Sequence, residues 1–159
     1  MNYQIRYARK EDMPAVFKLI QELAVFELAA DEVETTVEQL QRDGFGPHPK
    51  FHCFVAETDA GEIPGIAFVF WRYSTWKGPA LHLEDLIVTE SARGNGIGNA
   101  LLTEVVKYGH AHGVKRVQWE VLDWNEPAIK FYEAKGANVM RDWNVVHLRE
   151  DAITAYLNL

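Results

Sequence analysis

Hydrophobic positions change period along the chain, and the changes predict its elements. Tyr3 to Tyr7 alternates as a strand does, and Glu11-Asp12-Met13-Pro14 then puts acids and a proline where a helix's first turn tolerates them. Val16, Phe17, Leu19, Ile20, Leu23 and Phe26 follow at helical spacing. Val33 to Arg42 predicts a second helix, ended by Asp43-Gly44-Phe45-Gly46-Pro47-His48-Pro49, whose glycines and prolines cannot continue it. Phe51 to Glu57 and Ile63 to Trp71 are β-rich runs joined by Thr58-Asp59-Ala60-Gly61-Glu62, which predicts an antiparallel hairpin. Ser74 to Pro79 reads as a loop and Ala80 to Val88 as another strand. A helix from Gly98 to His112, a strand from Arg116 to Val121, a helix from Asn125 to Lys135 stopped by Gly136, and a late strand from Trp143 to Leu148 complete the pattern.

Hairpin strands followed by strand–helix alternation imply an α+β, or mixed α/β, fold with a largely antiparallel sheet. At 159 residues, with no repeat, linker or low-complexity segment, one domain spanning residues 1–159 is expected. The 48% hydrophobic content and five tryptophans fit a packed core, and no run approaches the ~18 apolar residues of a membrane span. Met1 to Arg6 lacks the apolar run of a secretory signal, so a cytoplasmic location is expected. Cys53 stands alone among apolar neighbours, which excludes an intrachain disulfide and predicts a buried strand cysteine. The net charge of −7 argues against nucleic acid or an anionic membrane as the main partner, since both reward clustered Lys and Arg. An acidic surface suits cationic small molecules better.

Candidate chemistry begins at Arg93-Gly94-Asn95-Gly96-Ile97-Gly98, which follows the apolar strand Leu86-Ile87-Val88 and opens a helix. Glycine lets the backbone approach a ligand and adopt positive φ, and the free N–H groups of a first helical turn favour an anion. A dinucleotide fingerprint would need a glycine at Asn99, and a mononucleotide P-loop would need a Lys-Ser/Thr pair after the last glycine. Neither is present. Arg-Gly-x-Gly-x-Gly after a strand resembles the pyrophosphate loop of the GNAT N-acetyltransferases, which implies acetyl-coenzyme A as cosubstrate. The resemblance also implies a central twisted sheet flanked by helices, with Leu86, Ile87, Val88 and Arg93 to Asn99 at the cofactor.

A second motif is Asn125-Glu126-Pro127-Ala128-Ile129-Lys130-Phe131-Tyr132, closed by Lys135-Gly136-Ala137. Seven residues at ~100° each return Asn125 and Tyr132 to nearly one helix face. Asn125 can also cap the helix, and Tyr132 taken alone would read as a core aromatic. The whole run resembles the second cofactor motif of the same family, which implies that Asn125, Pro127, Ala128 and Tyr132 meet the cofactor. There the tyrosine serves as general acid, and a phenol of ordinary pKa about 10 can protonate a leaving thiolate.

Glu84 and Asp85 form the third constellation. Strand alternation puts Leu83, Asp85 and Ile87 on one side and His82, Glu84, Leu86 and Val88 on the other, so the two acids are expected to point apart. Freeing an alkylamine of pKa near 10.4 from its proton at pH 7 takes about 4 to 5 kcal/mol, and a carboxylate can attract the cation and then take that proton. Glu84 is the candidate for this work, against the alternative of a carboxylate paired with a neighbouring Arg or His.

The resemblance sharpens in Glu38 to Phe54, Leu83-Glu84-Asp85 and Trp124-Asn125-Glu126-Pro127, which look like the diamine, or spermidine/spermine, N-acetyltransferases. By motif match Phe26 and Glu27 then fall where that family contacts its cationic acceptor, with Phe26 replacing a tyrosine. Tyr73 to Gly78 and Val121 to Asn125 look more like the branch acting on thialysine, which makes Ser74, Thr75, Leu122 and Asp123 candidate selectivity residues. Small hydroxyls can hydrogen-bond an amino-acid carboxylate that acids would repel. Trp76 and Trp143 are candidate walls of the acceptor cleft, holding an alkylammonium by cation–π attraction, although core packing explains either equally well.

His110 and His112 diverge by about 200° on their helix, and His48, His52, His82 and His147 are scattered, so no metal is expected. The combined expectation is acetyl transfer from acetyl-coenzyme A to a small primary amine, thialysine- or lysine-like or a di/polyamine, by direct attack in a ternary complex. Backbone N–H groups of the 86–88 strand would polarise the thioester carbonyl. The rival readings are a cofactor-binding sensor without turnover and an enzyme acetylating a protein amine. A homodimer is implied by the resemblance.

Overall fold

The computed structural model describes residues 1–158, in two compact units, residues 1–120 and 121–158. The first unit carries a five-stranded sheet in the order β1 (Tyr3–Tyr7), β2 (His52–Thr58), β3 (Gly65–Ser74), β4 (Gly78–Val88), β5 (Val117–Gln118). Neighbours from β1 to β4 are antiparallel and β5 runs parallel to β4. Helices α1 (Met13–Phe26) and α2 (Val37–Gly44) precede β2, and α3 (Ile97–Ala111) links β4 to β5. This is the α+β fold with a largely antiparallel sheet that the hydrophobic pattern predicts.

Both faces of the sheet are covered, which explains why Cys53 to Ala56 are all buried and show no strand alternation. On one face Met13, Val16 and Leu19 of α1 and Leu40 of α2 pack with Phe51, Cys53, Val55, Ile66 and Ile87. On the other, α3 lies so close that a Cβ on Gly65 would come within 3.0 Å of Ile97 and 3.2 Å of Leu101. Arg6 ties β1 to the rest, reaching Asp12 at 2.7 Å and Glu57 at 2.8 Å. That guanidinium, by hydrogen bonding, holds the Glu57 carboxyl down to about 2.

Several boundaries differ from expectation. The second helix starts at Val37, not Val33, because the Thr36 hydroxyl accepts from Gln39 N–H at 3.2 Å and caps it there. A short 3-10 turn, Ala30–Glu32, fills the gap. The expected strand 116–121 keeps only Val117 and Gln118, the two residues that find partners on β4. Residues 121–158 hold α4 (Glu126–Glu133) and α5 (Glu150–Leu157). The strand expected at Trp143 to Leu148 is not formed: among the described residues no strand pairs with it, and Trp143, Val145, Val146 and Leu148 are all exposed. Without a neighbour an extended segment has no ladder for its backbone groups. The helix α5 was missed, although the acids Glu150 and Asp151 in its first turn are a readable start signal.

Candidate active site

The centre of the first unit's site is an irregularity in β4. Phe68 pairs with Asp85 and Val69 with Leu83, so Glu84 is the extra residue of a β-bulge. A bulge breaks alternation and re-aims side chains. The expectation that Glu84 and Asp85 point apart is therefore wrong: both line one cleft of about 300 Å³, with Glu27 from the end of α1 and Glu32 from the 3-10 turn. Ile20, Leu23 and Val33 supply apolar wall, and the described residues that line it include no Lys, Arg or His.

The two adjacent acids are electrically different. Asp85 is pushed up to about 7, by burial first and then by repulsion from Glu84 and Glu27. Glu84 is held below the ordinary carboxylate range, first by the side chain of His82, whose Nε2 lies 3.4 Å from Glu84 Oε2. Burial also raises Glu27. One cleft thus holds a carboxylate that stays ionised and one that can exchange a proton near neutrality.

Past the bulge, β5 leaves β4 after pairing with Leu81 and His82, so the β4 edge from Leu83 to Val88 has no strand partner on that side among the described residues. The glycine loop follows. Gly94 and Gly96 sit at φ +79° and +80°, and a Cβ on Gly94 would meet nothing within 4 Å. No side chain caps α3 at Gly96. The first-turn N–H groups of α3 therefore lack a side-chain cap, as an anion cradle requires. Arg93 is pinned by its Nε donating to Val88 O at 3.1 Å and by its guanidinium lying 5.7 Å from the centre of the Phe26 ring. Asn95 braces the loop through Ala92 O at 3.1 Å. Ile97 is buried as an anchor, and Asn99 O accepts from Thr103 Oγ1 at 2.7 Å. Leu86 and Val88 are half-buried and Ile87 packs into the α1 face of the core.

Not every sequence candidate joins this cleft. Phe26 lies against Arg93 rather than in the cleft lining, so its ring serves the glycine loop. Ser74 ends β3, and Thr75 and Trp76 lie in the β3–β4 turn, where Ser74 Oγ accepts from Trp76 and Lys77 N–H at 3.3 and 3.2 Å. At roughly 3.4 Å per strand residue, Gly78 to Glu84 spans about 20 Å, longer than a lysine-sized acceptor. The exposed Trp76 holds neither a cleft nor a core position.

Residues 121–158 are placed separately. Asn125 Oδ1 accepts from Ala128 N–H at 3.4 Å and caps α4, with Pro127 in the first turn where its missing N–H does no harm. At the other end Ala137 N–H donates to Tyr132 O at 3.2 Å and Gly136 N–H to Glu133 O at 2.9 Å, a Schellman-type stop. Tyr132 is half-buried, edge-on to Phe131 at 5.4 Å, and burial raises its phenol, which stays protonated at neutral pH. Leu122, Asp123 and Trp143 are exposed. Among the described residues no group of three or more His, Cys, Asp or Glu side chains could hold a metal.

Comparison with known proteins settles the family. The sequence profile described as the acetyltransferase (GNAT) family matches residues 13–137. The chain belongs to the GNAT acetyltransferase family. Among its relatives is the thialysine N-epsilon-acetyltransferase of Bos taurus, 35% identical over 159 residues and covering 94% of each chain. Another is the spermidine/spermine N(1)-acetyltransferase-like protein 1 of Homo sapiens, 36% identical over 141 residues, covering 85% of this chain and 20% of that one. The fold is shared with an integron cassette protein from the mobile metagenome of V. cholerae, with TM-score 0.81, 21% identity and coverage of 100% and 99%. This GNAT protein is accordingly an acetyltransferase enzyme, and no helix among its described residues is long and apolar enough to cross a membrane.

Proposed function

We propose that this acetyltransferase moves an acetyl group from acetyl-coenzyme A to the primary amine of a small cationic acceptor, by direct attack in a ternary complex. The observation that carries the reading is the carboxylate-lined cleft at the β4 bulge, on the same strand that runs into the glycine loop. The loop's uncapped N–H groups, its positive-φ glycines and the open β4 edge suit a pyrophosphate and a pantetheine arm. Acetyl-coenzyme A supplies an activated thioester.

Glu84, kept ionised, draws the ammonium into the cleft, and Asp85 takes its proton, because a base titrating near 7 has both the vacancy and the proton affinity for the task. Tyr132 is the proton donor toward sulfur. The acceptor class follows the relatives: the terminal amine of a thialysine- or lysine-like amino acid, with its carboxylate outside the acidic cleft. A di- or polyamine is the second reading, favoured by the four carboxylates that line the cleft. We further propose one functional domain spanning residues 1–159, since the family match of 13–137 crosses the boundary between the two units. Family resemblance supports a homodimer, and we also propose a cytoplasmic location.

Thiol release on mixing with acetyl-coenzyme A and thialysine, lysine, putrescine or spermidine tests the reading. The expected order of kcat/KM puts thialysine first, and Tyr132→Phe lowers kcat by about 10²-fold. Thiol release with none of these amines would leave the sensor or protein-acetylation reading; full kcat in Tyr132→Phe would remove that tyrosine as the acid.

A further inference from the structure

His82 is the buried polar side chain of the first unit's core, 6% exposed on a strand whose neighbours Leu81 and Leu83 are apolar. Its ring lies 4.8 Å from that of Phe70 on β3, and it is in register with Gln118 on β5. Nδ1 is buried without a hydrogen-bond partner. Packing alone does not account for an imidazole here: an apolar ring would fill the same space and leave no polar atom unsatisfied. What the imidazole provides is Nε2, which lies 3.4 Å from Glu84 Oε2 two residues on, at the bulge.

We infer that His82 is a positioning residue of the acceptor site, its Nε2–H tethering the Glu84 carboxylate so that Glu84 binds the cation and Asp85 is left to take the proton. The inference rests on the function proposed above and deepens it. An ionised carboxylate only accepts, so the contact requires a hydrogen on Nε2. Glu84's side chain is 53% exposed, and an untethered carboxylate there would sample other rotamers. Asp85 on its own strand, Glu27 from α1 and Glu32 from the 3-10 turn line the same cleft. Burial opposes ionisation of Glu84, and the group that favours it is His82. The strand fixes that donor, since β4 is paired on both sides at residue 82.

The test compares His82→Phe, which keeps a ring beside Phe70 and loses the donor, with His82→Gln, whose amide can donate from nearly the same place. Glu84 is followed by carboxylate ¹³C NMR titration in the free protein, acceptor KM and kcat by thiol release at saturating acetyl-coenzyme A, and coenzyme A binding by calorimetry. His82→Phe is expected to raise the Glu84 midpoint and to raise acceptor KM about ten-fold. It should leave kcat and coenzyme A affinity within about two-fold, while His82→Gln recovers most of the KM. Equal impairment of both variants, or an unmoved Glu84 midpoint, overturns the inference. Should His82→Phe not fold, a wild-type Glu84 midpoint at the ordinary carboxylate value overturns it equally. An enzyme that acetylates no amine would sink the proposed function, and the NMR titration would still decide the role of His82.

Discussion

Adjacent carboxylates differ by environment rather than by type, and Glu84 and Asp85 show how far that goes. From sequence, the acids at this point of the strand are legible as functional, because unpaired charge within an apolar strand needs a reason. Their division of labour is not, since burial, the His82 contact and the neighbouring Glu27 exist only in the folded chain. Asp85 carries a stability consequence with a definite sign. Its folded pKa lies above its unfolded one, so its contribution is present below about pH 4 and is lost as pH rises through about 7. Asp85→Asn is expected to raise the melting temperature over wild type by an increment that is small near pH 4 and largest at pH 8. The same substitution should flatten the acid limb of kcat/KM near pH 7 and cost about 10²-fold or more in rate. A thermal gain equal at pH 4 and pH 8 would contradict the shifted titration.

Elements were most readable where periodicity and capping agree, and least where the backbone departs from regular geometry. Helices α1 and α3 are plain in their apolar spacing; the bulge at Glu84 is invisible because it depends on how β3 meets β4. The end of α1 is another such departure. Ala29 N–H donates to Ala24 O at 2.8 Å and Leu28 N–H to Val25 O at 3.2 Å, a closure that puts Leu28 at φ 60°. Glycine is the usual occupant of that left-handed position, and a leucine there is strained. Leu28 is also 89% exposed, so its side chain returns little burial. The turn nevertheless sets Glu27 and Ala29 at the cleft wall. Leu28→Gly is expected to stabilise the fold by roughly 0.5–1 kcal/mol in urea denaturation, through relief of that conformation. Destabilisation would mean that the exposed leucine makes a contact that outweighs its strain.

At the scale of the whole molecule, the chain's charge of −7 and the cleft's four carboxylates act in the same direction on a cationic acceptor. Salt screens such attraction, with a Debye length of about 8 Å at 0.15 M, and the effect grows with ligand charge. Raising the salt from about 0.02 to about 0.5 M, roughly a 25-fold change that spans the screening range, should therefore raise the KM for spermidine more than that for thialysine. Equal salt dependence in initial-rate assays would argue that binding rests on hydrogen bonds instead. The glycine loop, the Asn125 to Tyr132 motif and the order of strands and helices through α4 were determined by sequence alone. Each depends on short-range rules: glycine's torsional freedom, capping, and the period of apolar side chains. Tertiary structure decided the rest. It removed the strand expected at 143–148, since that segment found no partner, and moved Ser74 and Thr75 to the far turn of the hairpin. It also turned two acids expected to face apart into one cleft, because which way a strand residue points depends on a bulge that only the pairing of β3 with β4 creates.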